Sequence, residues 1–212
     1  EKPADIFDCI HGIEAVRTDC GKDCVYDVFI VLDTSKERLG DAEKYFRTAK
    51  KTINVDHHIS NASGCGDVNY CKPAASSASE LVYELLEEKY MDAEIAKALY
   101  LGIVHDTGVF QYSNTTPDTL RIAAKLLAYG FDFSKLIDET FFEKTYVQNQ
   151  VLGRALLESV QFMDGKCIFS SIDLKTMEFY KVVPKDLDGI VSQLRITKGA
   201  SDTKRSHTPR LS

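Results

Sequence analysis

Val28 to Leu32 are five apolar residues in unbroken succession inside VYDVFIVLD (Val25 to Asp33). A short, continuous apolar run fits a strand covered on both faces, the situation of strands in a parallel sheet. It ends in a loop that begins with Asp33. A helical candidate follows over Asp41 to Lys51, and TINVD (Thr52 to Asp56) supplies a second strand. Strand, helix and strand in that order make a β-α-β unit, so the chain is expected to be α/β with a parallel sheet.

The next segments read as helices with local start signals. Ser77 and Glu80 form a capping pattern ahead of Leu81, Val82, Leu85 and Leu86. Asp92 caps a helix with Ile95, Leu99 and Ile103 on one face. Thr116 caps a third, with Pro117 at its first position and Gly130 as its stop. These helices are expected to cover the sheet. From Phe131 the residues are mainly helical in type, and 131–158 is expected to bridge the domain at 1–130 to a second at 159–212. Within the second, Asp164-Gly165 marks a hairpin. LKTMEFYKV is a helix candidate, and PKDLDGIVSQLRITKG reads as a helix running into a strand. The tail from about 200, ASDTKRSHTPRLS, is polar and aperiodic, and disorder is expected there.

At 212 residues the chain can bury a sizeable core unaided. Its 44% apolar and 27% charged residues are those of a water-soluble globular protein, and its net charge of −6 argues against a broad, non-specific nucleic-acid surface. A local pocket for a short nucleotide remains compatible with that charge. No run of 18 apolar residues occurs, and EKPADIFDCI lacks the layout of a secretion signal, so a cytoplasmic protein without a membrane span is expected. The six cysteines, Cys20 and Cys24 among them, show no zinc-ligand pattern, and reduced thiols are the default.

Acidic and imidazole groups fall where the elements end. Asp33 follows the first strand; Asp56, His57 and His58, in NVDHHISN, close the second; Asp106 closes the helix ALYLGIVHD. In an open α/β sheet, ligands bind beyond the carboxyl ends of the strands, where these loops would converge. Carboxylate and imidazole together suit Mn²⁺, Mg²⁺, Fe²⁺ or Zn²⁺. Two ions roughly 3.5–4 Å apart can generate a hydroxide and stabilise both oxygens of a phosphoryl displacement. Each residue also has a plainer reading. Asp33 could cap a helix, the histidine pair could satisfy buried backbone groups, and Asp106 could cap a turn with Thr107 and Gly108.

Taken together, FIVLDTSKERLG, VDHHISN, AASSASELVYELL and YLGIVHDTGVFQYSNTTPDTLRIAAKLL resemble the DHH phosphoesterase family. The segment from the hairpin through DGIVSQLRITKG is similar to the start of its accessory DHHA1 domain. Among subgroups, the resemblance is closest to bacterial enzymes acting on very short RNAs and on 3′-phosphoadenosine 5′-phosphate. It implies a parallel-sheet DHH domain linked by a helix to an α/β DHHA1 domain, and a hydrolase using two Mn²⁺ ions, with Mg²⁺ as an alternative. By this likeness Asp33, His57 and Asp106 are metal ligands, Asp56 and His58 act in catalysis, and His58 and Arg195 contact substrate. Short oligoribonucleotides or small nucleotides would be the partners, and a homodimer is open.

The family opens with His-x-x-x-Asp-x-Asp, which no segment before Asp33 supplies, and its accessory domain continues to a GGGH loop. The expectation is therefore a chain incomplete at both ends and, alone, inactive or nearly so. Other readings are a cyclic dinucleotide phosphodiesterase or manganese-dependent pyrophosphatase of the same family, and a non-catalytic nucleotide-binding relative.

Overall fold

The computed structural model describes residues 2–18, 24–187 and 189–198. The expectations for Cys20 and for the 200–212 tail fall outside these residues. Strand β1 (Val28–Leu32) pairs in parallel with β2 (Lys51–Asp56), with Val31 opposite Asn54 and Leu32 opposite Val55. β2 pairs in parallel with β3 (Val68–Cys71), so the sheet order is β1-β2-β3. This is the parallel α/β architecture that the β-α-β pattern predicts. The crossover helix α1 (Glu43–Thr48) is shorter than the expected 41–51, because 3-10 turns at Lys36–Arg38 and Gly40–Ala42 lead into it. β3 has no counterpart in the sequence reading. VNYC is four residues long and carries too little apolar pattern to announce a strand.

The expected burial of β1 on both faces is corrected. Val31 is buried and the Phe29 ring packs against Phe46 of α1, with ring centres 6.1 Å apart. Val28, Ile30 and Leu32, on the alternate face, are each about half exposed. The covering helix α2 (Ala78–Leu85) lies over β2, where Leu81 packs with Val55 and Ala75, and leaves that side of β1 open. Nor do the following helices all cover the sheet. α3 (Ala93–Asp106) packs chiefly on α2 and on α4 (Pro117–Leu127), forming a second layer.

The caps sit where the sequence places them. Ser77 Oγ accepts from Glu80 N (3.0 Å), Asp92 from Ile95 N (2.8 Å), and Thr116 forms a capping box with Thr119. Beyond α4 come α5 (Phe133–Ile137) and a π turn, Asp138–Phe142. The main core gathers Leu99, Ile103 and Val104 of α3 with Ile122 and Leu126 of α4 and Leu136 of α5. Burying such a side chain stabilises by about 1.5–3 kcal/mol, so α3 is a firm mount for what stands at its end.

Cα packing divides the chain into two compact units, 1–142 and 143–212. In the second, α6 (Tyr146–Leu157) is capped by Thr145 and Gln148, and β4 (Val160–Phe162) pairs antiparallel with β5 (Cys167–Phe169). Asp164 and Gly165 both have positive φ (54° and 84°), which a type I′ hairpin turn requires. α7 (Leu174–Tyr180) is capped by Asp173, and α8 (Ile190–Arg195) packs on α6. The strand expected after α8 is not formed by residues 196–198, which make turns.

Candidate metal centre

Asp33 takes φ = 58°, a left-handed conformation that Asp tolerates better than most residues, and its N–H donates to Val55 O (2.9 Å). The chain thus turns sharply off β1 while staying tied to β2. His57 and His58 follow directly on β2, and Asp106 is the last residue of α3. The three elements bring their side chains together. His57 Nε2 lies 3.3 Å from Asp33 Oδ1 and 3.5 Å from Asp106 Oδ2. On the other side of the ring, His57 Nδ1 lies 3.3 Å from Ala75 O. A carbonyl can only accept, so Nδ1 carries the hydrogen and, in the neutral ring, Nε2 presents its lone pair toward the carboxylates.

Asp56 is almost wholly buried (1% exposed) and does not join them at the surface. Its Oδ1 accepts from the His58 backbone N–H (3.1 Å) and from His58 Nδ1 (2.7 Å); its Oδ2 accepts from Asn61 Nδ2 (2.6 Å). Burial alone would push this carboxyl's pKa up, but the donors from Asn61 and His58 outweigh it and hold the group below the usual carboxylate range. Asn54, fully buried within β2, donates to Val31 O and Thr34 O (3.2 and 3.1 Å) and accepts from Asn61 Nδ2 (2.9 Å). The loops after β1 and β2 are therefore stitched together by two amides beneath the site.

The turn after α3 is held as tightly. Thr107 Oγ1 donates to Ile103 O (2.7 Å) and accepts from Phe110 N (3.1 Å). Residues 108, 109 and 110 all have positive φ (54°, 56° and 64°), an unfavourable choice for Val109 and Phe110 that surrounding structure must enforce. Asn114 Nδ2 donates to Asp106 O (3.1 Å) and to Ser76 O (2.9 Å), so the backbone of Asp106 is tied to the segment whose Ala75 carbonyl orients His57.

The electrostatics of the cluster suit a cation. The Asp33 carboxylate beside Nε2 raises the His57 pKa; burial opposes this and Asp106 reinforces it. Burial, followed by the charge of Asp33, pushes the Asp106 carboxyl up. Ligand atoms of Asp33, His57 and His58 all lie within 4.8 Å of one another. Two carboxylates gathered on an imidazole with a directed lone pair are the donor set of a hard or borderline divalent ion, and the residues present fit one.

Residues 3–103 match the family model described as DHH family, N-terminal domain. This chain carries a DHH family domain. It is 31% identical over 170 residues to the bifunctional oligoribonuclease and PAP phosphatase NrnA of Bacillus subtilis (strain 168), covering 78% of this chain and 53% of that protein. To the protein of the same name from Thermus thermophilus it is 38% identical over 92 residues, 42% of this chain and 28% of the relative. The chain thus spans about half the length of the first relative and less of the second. Its fold matches a crystal structure of an exopolyphosphatase-related protein from Bacteroides fragilis with a TM-score of 0.81 at 20% identity, over 93% of this chain and 62% of that one. The family read from the sequence and the parallel α/β fold are both borne out.

In the first unit, sequence reasoning named Asp33, Asp56, His57, His58 and Asp106; the structure brings Asp33, His57, His58 and Asp106 together and buries Asp56 beneath His58. Arg195 belongs to the other compact unit, at the exposed last position of α8. What the reading passed over are the supports Asn54, Ala75 and Asn114; Thr107 it named only as a turn partner of Asp106. Asn54 left a signal, a lone amide inside an apolar strand. A backbone carbonyl such as that of Ala75 leaves none.

Proposed function

We propose that the chain is part of a divalent-metal phosphoesterase that hydrolyses short oligoribonucleotides and 3′-phosphoadenosine 5′-phosphate. The observation that supports this most is the meeting of His57 Nε2 with Asp33 and Asp106, residues far apart in sequence. In this reading Asp33, His57 and Asp106 would hold divalent ions, Mn²⁺ or alternatively Mg²⁺. When bound, the ions make water a nucleophile at neutral pH and offset charge building on the phosphoryl oxygens.

The remaining roles belong to the protein. Ionised Asp56 accepts from His58 Nδ1, so the outer nitrogen, Nε2, is turned outward on a ring that is 40% exposed. That nitrogen can contact a phosphoryl oxygen or pass a proton to the leaving oxygen. Asn61 keeps Asp56 in place, and Asp56 keeps His58 in one orientation. The names of the two NrnA relatives match this substrate pair.

A hydrolysis panel on the complete gene product with Mn²⁺ tests the reading, comparing 3′-phosphoadenosine 5′-phosphate, di- and triribonucleotides, a cyclic dinucleotide and pyrophosphate. Release of phosphate from the first and of mononucleotides from the second is expected. Turnover confined to cyclic dinucleotide or pyrophosphate would replace the substrate assignment, and nucleotide binding without turnover of any of them would favour a non-catalytic relative.

A further inference from the structure

The loops after β1 and β2 are joined where Asn61 Nδ2 reaches Thr34 O (3.3 Å) and Asp56 Oδ2. Asn61 also lines a recess of about 440 Å³, together with Lys36, Glu37, Ser60, Ser63 and Cys65 among others. That volume lies in the range of small-ligand sites.

The chemistry of the recess differs from that of the acidic cluster beside it. Lys36 stands three residues beyond Asp33, is exposed, and takes part in none of the ion pairs among the described residues. Ser60 and Ser63 stand in the lining, and their hydroxyls take part in none of the hydrogen bonds among the described residues. The one carboxylate of the recess, Glu37, accepts from the neighbouring Ser35 hydroxyl, which holds its pKa down. Ile59, 82% exposed, stands in the lining and offers an apolar face that a base can cover. An unpaired cation, free hydroxyls and an apolar edge, one amide away from Asp56, are complementary to a phosphate joined to a nucleoside.

Resting on the phosphoesterase reading above, we propose that this recess is a subsite for an oligoribonucleotide on the 3′ side of its scissile phosphate, with Lys36 on the next phosphate along. A bisphosphorylated mononucleoside ends at the phosphate that is cleaved and has nothing to place there. The subsite would therefore serve oligoribonucleotides selectively, and Lys36 would divide the two activities.

The test uses the complete gene product with Mn²⁺ and three variants, Lys36→Gln, Lys36→Arg and Ser63→Phe, the last filling the recess. Steady-state kinetics are measured on triadenylate and on 3′-phosphoadenosine 5′-phosphate. Lys36→Gln is expected to raise KM for triadenylate about tenfold at unchanged kcat and to change the bisphosphate reaction less than about twofold. The slope of log KM against log salt for triadenylate should fall by about 0.7, the value of one single-strand phosphate contact. Lys36→Arg should retain wild-type KM, and Ser63→Phe should impair triadenylate alone. Equal losses on both substrates, or an unchanged KM for triadenylate, would overturn the subsite.

Should the wild type hydrolyse neither substrate, the phosphoesterase reading fails and binding decides the subsite separately. A 5′-fluorescent triadenylate would then have to bind more tightly than adenosine monophosphate and lose that advantage in Lys36→Gln. No triadenylate binding, or binding indifferent to Lys36, would reject the inference.

Discussion

Asp33 combines two demands: a left-handed backbone that turns the chain off β1, and a carboxylate set against His57. Asp33→Ala in the complete protein is expected to lower phosphate release from 3′-phosphoadenosine 5′-phosphate at least about a hundredfold, since it removes a ligand rather than its support. Equal activity in the mutant would take Asp33 out of the metal site. Asn61→Ala is a different case, because it leaves Asp56 Oδ2 buried without its 2.6 Å donor. A stability loss of about 1–3 kcal/mol in urea denaturation is expected, with a drop in turnover of about ten- to a hundredfold as His58 loses its anchor. The acidic and imidazole groups could be read because each is a polar residue at the end of an apolar run. Asn54 could be seen but not interpreted, since its partners, Thr34 O and Asn61, are fixed only by the pairing of β1 with β2.

At the scale of elements, the site depends on where α3 stops. Thr107 and the positive φ values after it end the helix so that Asp106 faces His57. Gly108 has φ = 54°, and a Cβ there would meet the Tyr112 ring. Gly108→Ala is therefore expected to cost about 1–3 kcal/mol in a thermal melt and to weaken Mn²⁺ binding by calorimetry, because Asp106 must move with the turn. A variant with wild-type melting and metal affinity would show that the turn does not position Asp106. The caps at Ser77, Asp92 and Thr116 were legible because each acts within three residues. The open face of β1 was not. An apolar run reports what a strand could bury, whereas its cover depends on α2 lying over β2.

For the whole molecule, the sheet and helices of the first unit present Asp33, His57 and Asp106 as one cluster, and none of the helices among the described residues is long and apolar enough to cross a membrane. If that cluster binds the ion, Mn²⁺ at a hundred times its Kd should add about 2.7 kcal/mol of stability, seen as a rise in Tm that Asp33→Ala removes. Chelation should in turn abolish hydrolysis until Mn²⁺ is restored. The most direct measurement is anomalous diffraction at the manganese edge from crystals grown with Mn²⁺. A peak bonded to Asp33, His57 Nε2 and Asp106 together is the expected result. Manganese bound elsewhere, with these three side chains left without it, would contradict the metal centre on which the proposed function rests.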